Sequence, residues 1–445
     1  DGTPLWAHDT GGVDSSITIA EGFVVVLAGP SAVPNLPSQA TPEGAESELD
    51  WVLIGIDLVT GEYEWKGMSG SGDMLYSPYY VAQSPGSDTI YVLSRTMKNS
   101  LDVVDPTTGL SASSTLNFDQ PIGSVPVNDG THAFVQLKDG TLVATLLPVP
   151  PPAQSGGYVP EEVAVTIPTP EVEATPDAIA WRIDGVGSDV VAGDIVATAN
   201  TVVRAVTTQD GGRIDAFDTG LGKPVWSKPM WWTGGIVLGD GLIYVPVIAD
   251  NGITGSIVAL DPGTGDVVWE QQIGGRPIMP TQLGTSLYVA DDSGLISAFD
   301  TQTGEILWLN HASIEPANGY PNGPLPKAVG VSPKFVTVLY PTGENHNLGV
   351  FAVFDATSGK ELYQLPGYPY ASTQFTVVDN TLVILTPPPV DAASPTADAL
   401  APMEIKGIDL STGDVIWENQ VVTRFDEPII VVGSAEGLFI QLIAE

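Results

Sequence analysis

The sequence predicts an all-β ring of four-stranded antiparallel blades, a β-propeller. Three observations predict it. A short motif recurs along the chain at blade-like intervals. Short β-branched and aromatic runs alternate with turn signals. No stretch carries a convincing helical period of 3.6 residues.

The motif is an apolar strand ending in Asp, with Gly four residues on and an aromatic eight residues on. It reads LIGIDLVTGEYEW with Asp57, Gly61 and Trp65. It returns as IDAFDTGLGKPVW with Asp218, Gly222 and Trp226, then as IVALDPGTGDVVW with Asp261, Gly265 and Trp269. Next come ISAFDTQTGEILW with Asp300, Gly304 and Trp308, and FAVFDATSGKELY with Asp355, Gly359 and Tyr363. The last is IKGIDLSTGDVIW with Asp409, Gly413 and Trp417. A degenerate copy keeps Asp105 and Gly109 but has Ser113 in the aromatic place, and another keeps only Trp181. Each copy is preceded by a Gly/Asn/Asp turn and a strand-like run, such as GDGLIYVPVI (239–248) or VDNTLVILT (378–386). Each unit therefore holds four strands, A to D, and compact units run 39 to 45 residues from Trp to Trp. That period and strand count define a propeller blade.

The motif residues suit architecture. Asp accepts hydrogen bonds from turn N–H groups, and Gly supplies a positive φ. The aromatic is large enough to wedge between neighbouring blades, each of which has two faces to bury. A catalytic constellation would not be built so many times over.

Complete A-to-D sets fill residues 13 to 419 eight times. Leu5–Asp9, with Trp6, reads as an extra D strand, and the C-terminal EPIIVVGSAEGLFIQLIAE reads as A and B strands. Propellers close by joining strands from both termini, which removes exposed sheet edges. Eight blades are expected. Taken literally, the spare pieces give a ninth blade lacking its C strand, so nine stays open.

These units resemble the pyrroloquinoline-quinone-type propeller repeat, whose blades carry a tryptophan-docking motif ending AxDxxTGxxxW. The resemblance covers nearly all of residues 1–445 and implies one propeller domain of eight blades. The family contains quinone-dependent alcohol dehydrogenases and non-enzymatic scaffolds, including the BamB-type lipoprotein of bacterial outer-membrane assembly. The quinone enzymes hold their cofactor under a disulfide between adjacent cysteines and bind calcium. This chain has no Cys, and none of their site positions can be placed in it. The resemblance therefore points to the BamB-like scaffold branch.

Composition narrows the function classes. Of 445 residues, 53 are acidic and 15 basic, giving a net charge of −38. That opposes binding to nucleic acid, which needs a basic footprint, and to anionic lipid. No apolar run approaches the roughly 18 residues of a membrane helix. The chain begins at Asp1 without Met, so a trimmed mature or engineered form is expected, with an anchor upstream left open. The low Lys content and acidic, Pro-rich loops suggest export, and an extracytoplasmic, bacterial location follows.

Three Pro-rich insertions, at 30–50, 148–177 and 387–402, read as loops rather than hidden domains. The first and last join B to C strands, so they share a face with the D–A loops. The middle one joins C to D, on the face of the Asp/Gly turns. The D–A loops concentrate aromatics and Met: Met68, Met74, Tyr76, Trp231, Trp232, Met279, Tyr320, Tyr368 and Tyr370, with His311 beside them. Rigid aromatics on loops of one face suit a binding surface. The alternative is that they pack over the blade tops. Trp231-Trp232 is the sharpest pair, because neighbouring residues of an extended chain point opposite ways.

No catalytic or metal-ligating constellation stands out. The four His lack metal or triad spacing, and HExxH and GxSxG are absent. The acidic turns TQDGG (208–212), IADNG (248–252) and ADDSG (290–294) leave calcium open, although Asp-Gly and Asn-Gly are ordinary hairpin turns. No cofactor is expected. The leading expectation is an exported, non-catalytic propeller that binds a protein partner or envelope component through the D–A and B–C face. The rivals are a polysaccharide-binding propeller and a quinone-dependent oxidoreductase with an aberrant site.

Overall fold

A computed structural model gives the fold. It describes residues 6, 8, 17–28, 51–70, 79–83, 89–94, 99–111, 115–147, 179–185, 191–208, 211–249, 252, 254–278, 280–313, 326–342, 348–370, 373–386, 400–424, 430–433 and 438–441. The first two insertions lie outside these residues. So does the third up to residue 399, after which Leu400–Asp409 is a strand.

The described chain is all strand and turn. It forms eight four-stranded antiparallel sheets, each ordered A-B-C-D. They span residues 18–70, 79–117, 127–183, 191–229, 237–273, 281–311, 329–369 and 374–424, and are blades 1 to 8 in that order. A two-stranded hairpin follows, Ile430–Gly433 with Leu438–Gln441. The A strands of successive blades lie side by side, for example in blades 4 and 5 and in blades 7 and 8. The chain is thus an all-β propeller with eight complete blades.

The period-2 pattern explains the packing. Alternate residues of each B and C strand face opposite neighbours, so both must be apolar. In blade 5, Ile243, Val245, Val258 and Leu260 pack toward blade 4, with Val203, Ala205, Ile214 and Ala216. Tyr244, Ile257 and Ala259 pack toward blade 6, with Leu287, Val289 and Phe299. Comparable cores join blades 1 and 2, 2 and 3, 3 and 4, 6 and 7, and 7 and 8.

The motif does what its chemistry allows. Asp300 Oδ1 accepts from the backbone N–H groups of Gln302 and Thr303 at 3.1 and 2.9 Å and from Thr303 Oγ1 at 2.8 Å. These donors hold the Asp300 carboxyl below the usual range, the Thr303 backbone N–H foremost. Gly304 follows at φ +68°. The aromatic of the preceding blade lies on that glycine: a Cβ there would sit 2.5 Å from Trp269 Cδ2. The indole Nε1 then donates to the carbonyl of the residue after the motif Asp. Trp269 donates to Thr301 O at 2.9 Å, Trp226 to Pro262 O at 2.9 Å, Trp308 to Ala356 O at 2.9 Å and Trp181 to Thr219 O at 2.8 Å. Tyr363 substitutes its hydroxyl, donating to Leu410 O at 2.8 Å.

One feature is not visible in the motif. The residue immediately before the docking aromatic is a β-bulge. In blade 5 the register runs Ala259↔Trp269, then Leu260↔Val267, leaving Val268 unpaired. The same slip isolates Glu64, Ala180, Val225, Leu307, Leu362 and Ile416. A bulge bends the outermost strand, aims the next side chain inward and blunts an edge that would otherwise pair with another sheet.

Candidate binding face

Trp231 and Trp232 follow the D strand of blade 4 and behave oppositely. Trp232 turns inward. It packs in the core between blades 4 and 5, and its Nε1 donates to Val206 O at 3.4 Å. Its ring fills the space above Gly193, where a Cβ would sit 2.5 Å from Cη2. Trp231 turns outward, with 47% of its surface exposed, and its ring lies over Gly211.

The segment carrying them is tied down on both sides. Met230 N donates to Gly212 O, and Thr233 N to Pro246 O, each at 2.8 Å. Ile248 N donates to Trp231 O at 2.9 Å, and Trp232 bridges to Val247. Thr233 Oγ1 reaches the next D–A loop, donating to Pro277 O at 2.8 Å. That loop is fixed in turn by the ADDSG turn. Asp291 Oδ2 accepts from Gly275 N at 2.8 Å, and Oδ1 from the N–H of Ser293 and Leu295 and from Ser293 Oγ. Asp292 accepts from Arg276 N and Nε at 2.7 and 2.6 Å. Both carboxylates are thus taken up by N–H and O–H donors, leaving them poorly placed for calcium. Asp210 and Asp250 of the other two acidic turns lie outside the described residues. Among the described residues no cluster of three or more His, Asp or Glu could hold a metal.

The remaining predicted face residues divide. Met68 is packed with the core of blades 1 and 2. Tyr368 lies within the D strand of blade 7, which runs on to Pro369, and meets Phe351 edge-on at 5.1 Å. Tyr370 packs in the same core between blades 7 and 8. Burial raises the phenol pKa of both tyrosines. These two rings brace blades rather than project from them. His311 ends the D strand of blade 6, exposed, two blades away from Trp231. Met74, Tyr76, Met279 and Tyr320 lie outside the described residues, as does Glu315 beside His311.

Sequence reading missed a buried charge network between blades 3 and 4. Arg204, only 2% exposed, donates to Gly140 O and to Asp215 Oδ2 at 3.2 Å, and covers the Phe217 ring. Asp215 also accepts from Arg213 and Ser227 at 2.9 and 2.7 Å. Burial pushes the Arg204 pKa down, against the pull of Asp215. An Arg set among Val202, Val203, Ala205 and Val206 in a strand was the available signal.

Residues 210–366 match a protein-family model described as outer membrane protein assembly factor BamB. A curated relative of that name from Bordetella pertussis is 32% identical over 127 residues, 28% of this chain and 29% of its own length. The match thus spans under a third of that relative. Among solved structures, BamB from Moraxella catarrhalis is 17% identical, covering 86% of this chain and 94% of its own, with a TM-score of 0.49. A europium-containing methanol dehydrogenase is 12% identical, covering 98% of this chain and 83% of its own, with a TM-score of 0.47. The stretch from the C strand of blade 4 to the D strand of blade 7 is thus similar to the repeats of the BamB family model, a PQQ-like, BamB-like propeller pattern.

Proposed function

We propose that this chain is a non-catalytic scaffold of the bacterial cell envelope, on its extracytoplasmic side, and that it holds a protein partner on the D–A and B–C face. The observation that carries the reading is Trp231, a large ring with nearly half its surface open on a segment hydrogen-bonded from two blades. Exposed aromatics on rigid supports are the usual anchors of protein interfaces. The stretch matching the BamB family model includes this segment. The net charge of −38 favours a partner with a basic contact surface. The reading gives no cofactor or metal a role.

Trp231→Ala tests it, because Trp232 supports the blade interface and Trp231 does not. With the partner co-purified from the native envelope, the folded variant should lose about 2 kcal/mol of affinity, typical of an anchor residue. Unchanged affinity would remove Trp231 from the interface. Saturable binding on a glycan array, lost with the same substitution, would instead make the ring a sugar-stacking platform.

A further inference from the structure

A D strand is the last strand of every four-stranded sheet. Such an edge is a template for another strand, and proteins blunt it with charge, proline or brevity. Among the described residues, the D strand of blade 1 carries Glu64 and Lys66, that of blade 3 Arg182, and that of blade 4 Lys228 between Pro224 and Pro229. Blade 5 has Glu270, blade 7 Glu361 and blade 8 Glu418. The D strand of blade 2 is two residues long. The D strand of blade 6, Ile306–His311, reads ILWLNH. It has no Lys, Arg, Asp, Glu or Pro, and only the bulge at Leu307 interrupts it.

Backbone and side chains of this strand open outward together. Ala312 N donates to Gly294 O at 3.1 Å, toward the C strand. Antiparallel bonding alternates along a strand, so Asn310 also bonds inward, while Leu309 and His311 turn their N–H and C=O groups away from the sheet. Trp308 and Asn310 lie toward blade 7: Trp308 seats on Gly359, and Asn310 Nδ2 donates to Gly359 O at 2.8 Å. On the other side Leu309 is 52% exposed and His311 is exposed. Ile306 and Leu307 are exposed as well, so three aliphatic side chains stand open on an uncharged edge.

We propose that this edge pairs with the same edge of a second copy of the chain, antiparallel, about a two-fold axis that sets Asn310 against Asn310. A two-fold contact brings a strand against itself, so a charge on it meets a like charge on the other copy. The D strand of blade 6 is the one longer than two residues, among those described, that brings none. In this register Leu309 of each copy lies opposite His311 of the other, and each such pair exchanges both of its N–H···O bonds. The two Leu309 side chains become diagonal neighbours on one face and cover each other. The net charge of −38 on each copy opposes association, but salt screens that repulsion. The dimer therefore tightens as salt is raised, whereas capture of a basic partner by charge weakens.

Sedimentation of the protein over a wide range of concentration, in low salt and in about 0.5 M salt, tests this. A reversible monomer–dimer equilibrium is expected, shifted toward dimer in high salt. Leu309→Lys, at an exposed position, should raise the dimer dissociation constant at least about tenfold, because it sets like charges across the contact. Val268→Lys, at an exposed position on blade 5, should leave the constant unchanged. Amide exchange of the unaltered protein gives a second reading that needs no variant: the Leu309 and His311 amides should be fast in the monomer and slow in the dimer. The proposal is overturned if the protein stays monomeric up to about 0.5 mM in high salt. It is also overturned if a dimer forms that folded Leu309→Lys does not weaken, or one that leaves the Leu309 and His311 amides fast.

Discussion

Replacing Trp269 by Ala removes a docking aromatic from the core between blades 5 and 6. The ring is 7% exposed and lies 5.8 Å from Tyr244 and 6.2 Å from Phe299, centre to centre. It covers Gly304 and donates to Thr301 O. Deleting a buried Trp costs about 3–5 kcal/mol, through lost transfer energy and the cavity left behind. The lost hydrogen bond adds little here, because Tyr244 also donates to Thr301 O, at 3.3 Å. The affected seam joins blades 5 and 6, so the loss should fall on the cooperative unit containing both. Urea unfolding followed by far-UV circular dichroism, with Trp231→Ala as the surface control, reads it. Trp231→Ala should stay within about 0.5 kcal/mol of the parent, as surface changes do. A Trp269→Ala loss below about 1 kcal/mol would refute the view that the repeated aromatic is the inter-blade fastener.

Two further outcomes follow from the electrostatics. Asp215→Asn strips the partner from buried Arg204 and should cost about 3–5 kcal/mol, while Arg204→Met with Asp215→Leu together should cost much less, read as the shift in urea midpoint. The turn carboxylates Asp57, Asp300, Asp355 and Asp409 are held below the usual range, the first two chiefly by backbone N–H groups and the last two chiefly by Ser hydroxyls. A lowered folded pKa contributes stability present above the unfolded value of about 3.9 and lost as pH falls through the folded value. Acid also relieves the repulsion among 53 acidic residues, so the informative quantity is a difference. The gap in melting temperature between the parent and Asp300→Asn should be widest above pH 5, begin to narrow as pH falls past about 3.9 and close only as it passes the lower folded value. A gap independent of pH would mean that the Asp300 charge is not what holds the turn.

Much of the fold was legible because its determinants are local and repeated. Asp, Gly and Trp at fixed spacing fix a turn, a positive φ and a wedge, and period 2 in the B and C strands fixes two buried faces. The bulge was not legible. Six of its seven residues are aliphatic, as strand residues commonly are, and Glu64 is not, so no side-chain type marks the slip, which is one of backbone register. The face was half legible. The opposite orientation of Trp231 and Trp232 follows from adjacency in an extended chain. Pro366, Gly367 and Pro369 give the sequence around Tyr368 and Tyr370 the look of a loop, yet the strand continues to Pro369 and carries Tyr368 in the sheet. The Arg204 network needed a partner from another blade, Gly140, which no local window contains.

The central claim is that one face binds and the other only builds. Site-specific photo-crosslinking in the native envelope tests it most directly, with the crosslinker placed at Trp231 in one protein and at Thr264, in an exposed motif turn of the opposite face, in another. The account predicts one discrete protein adduct from position 231 and none from position 264. An adduct from position 264 with none from 231 would contradict it.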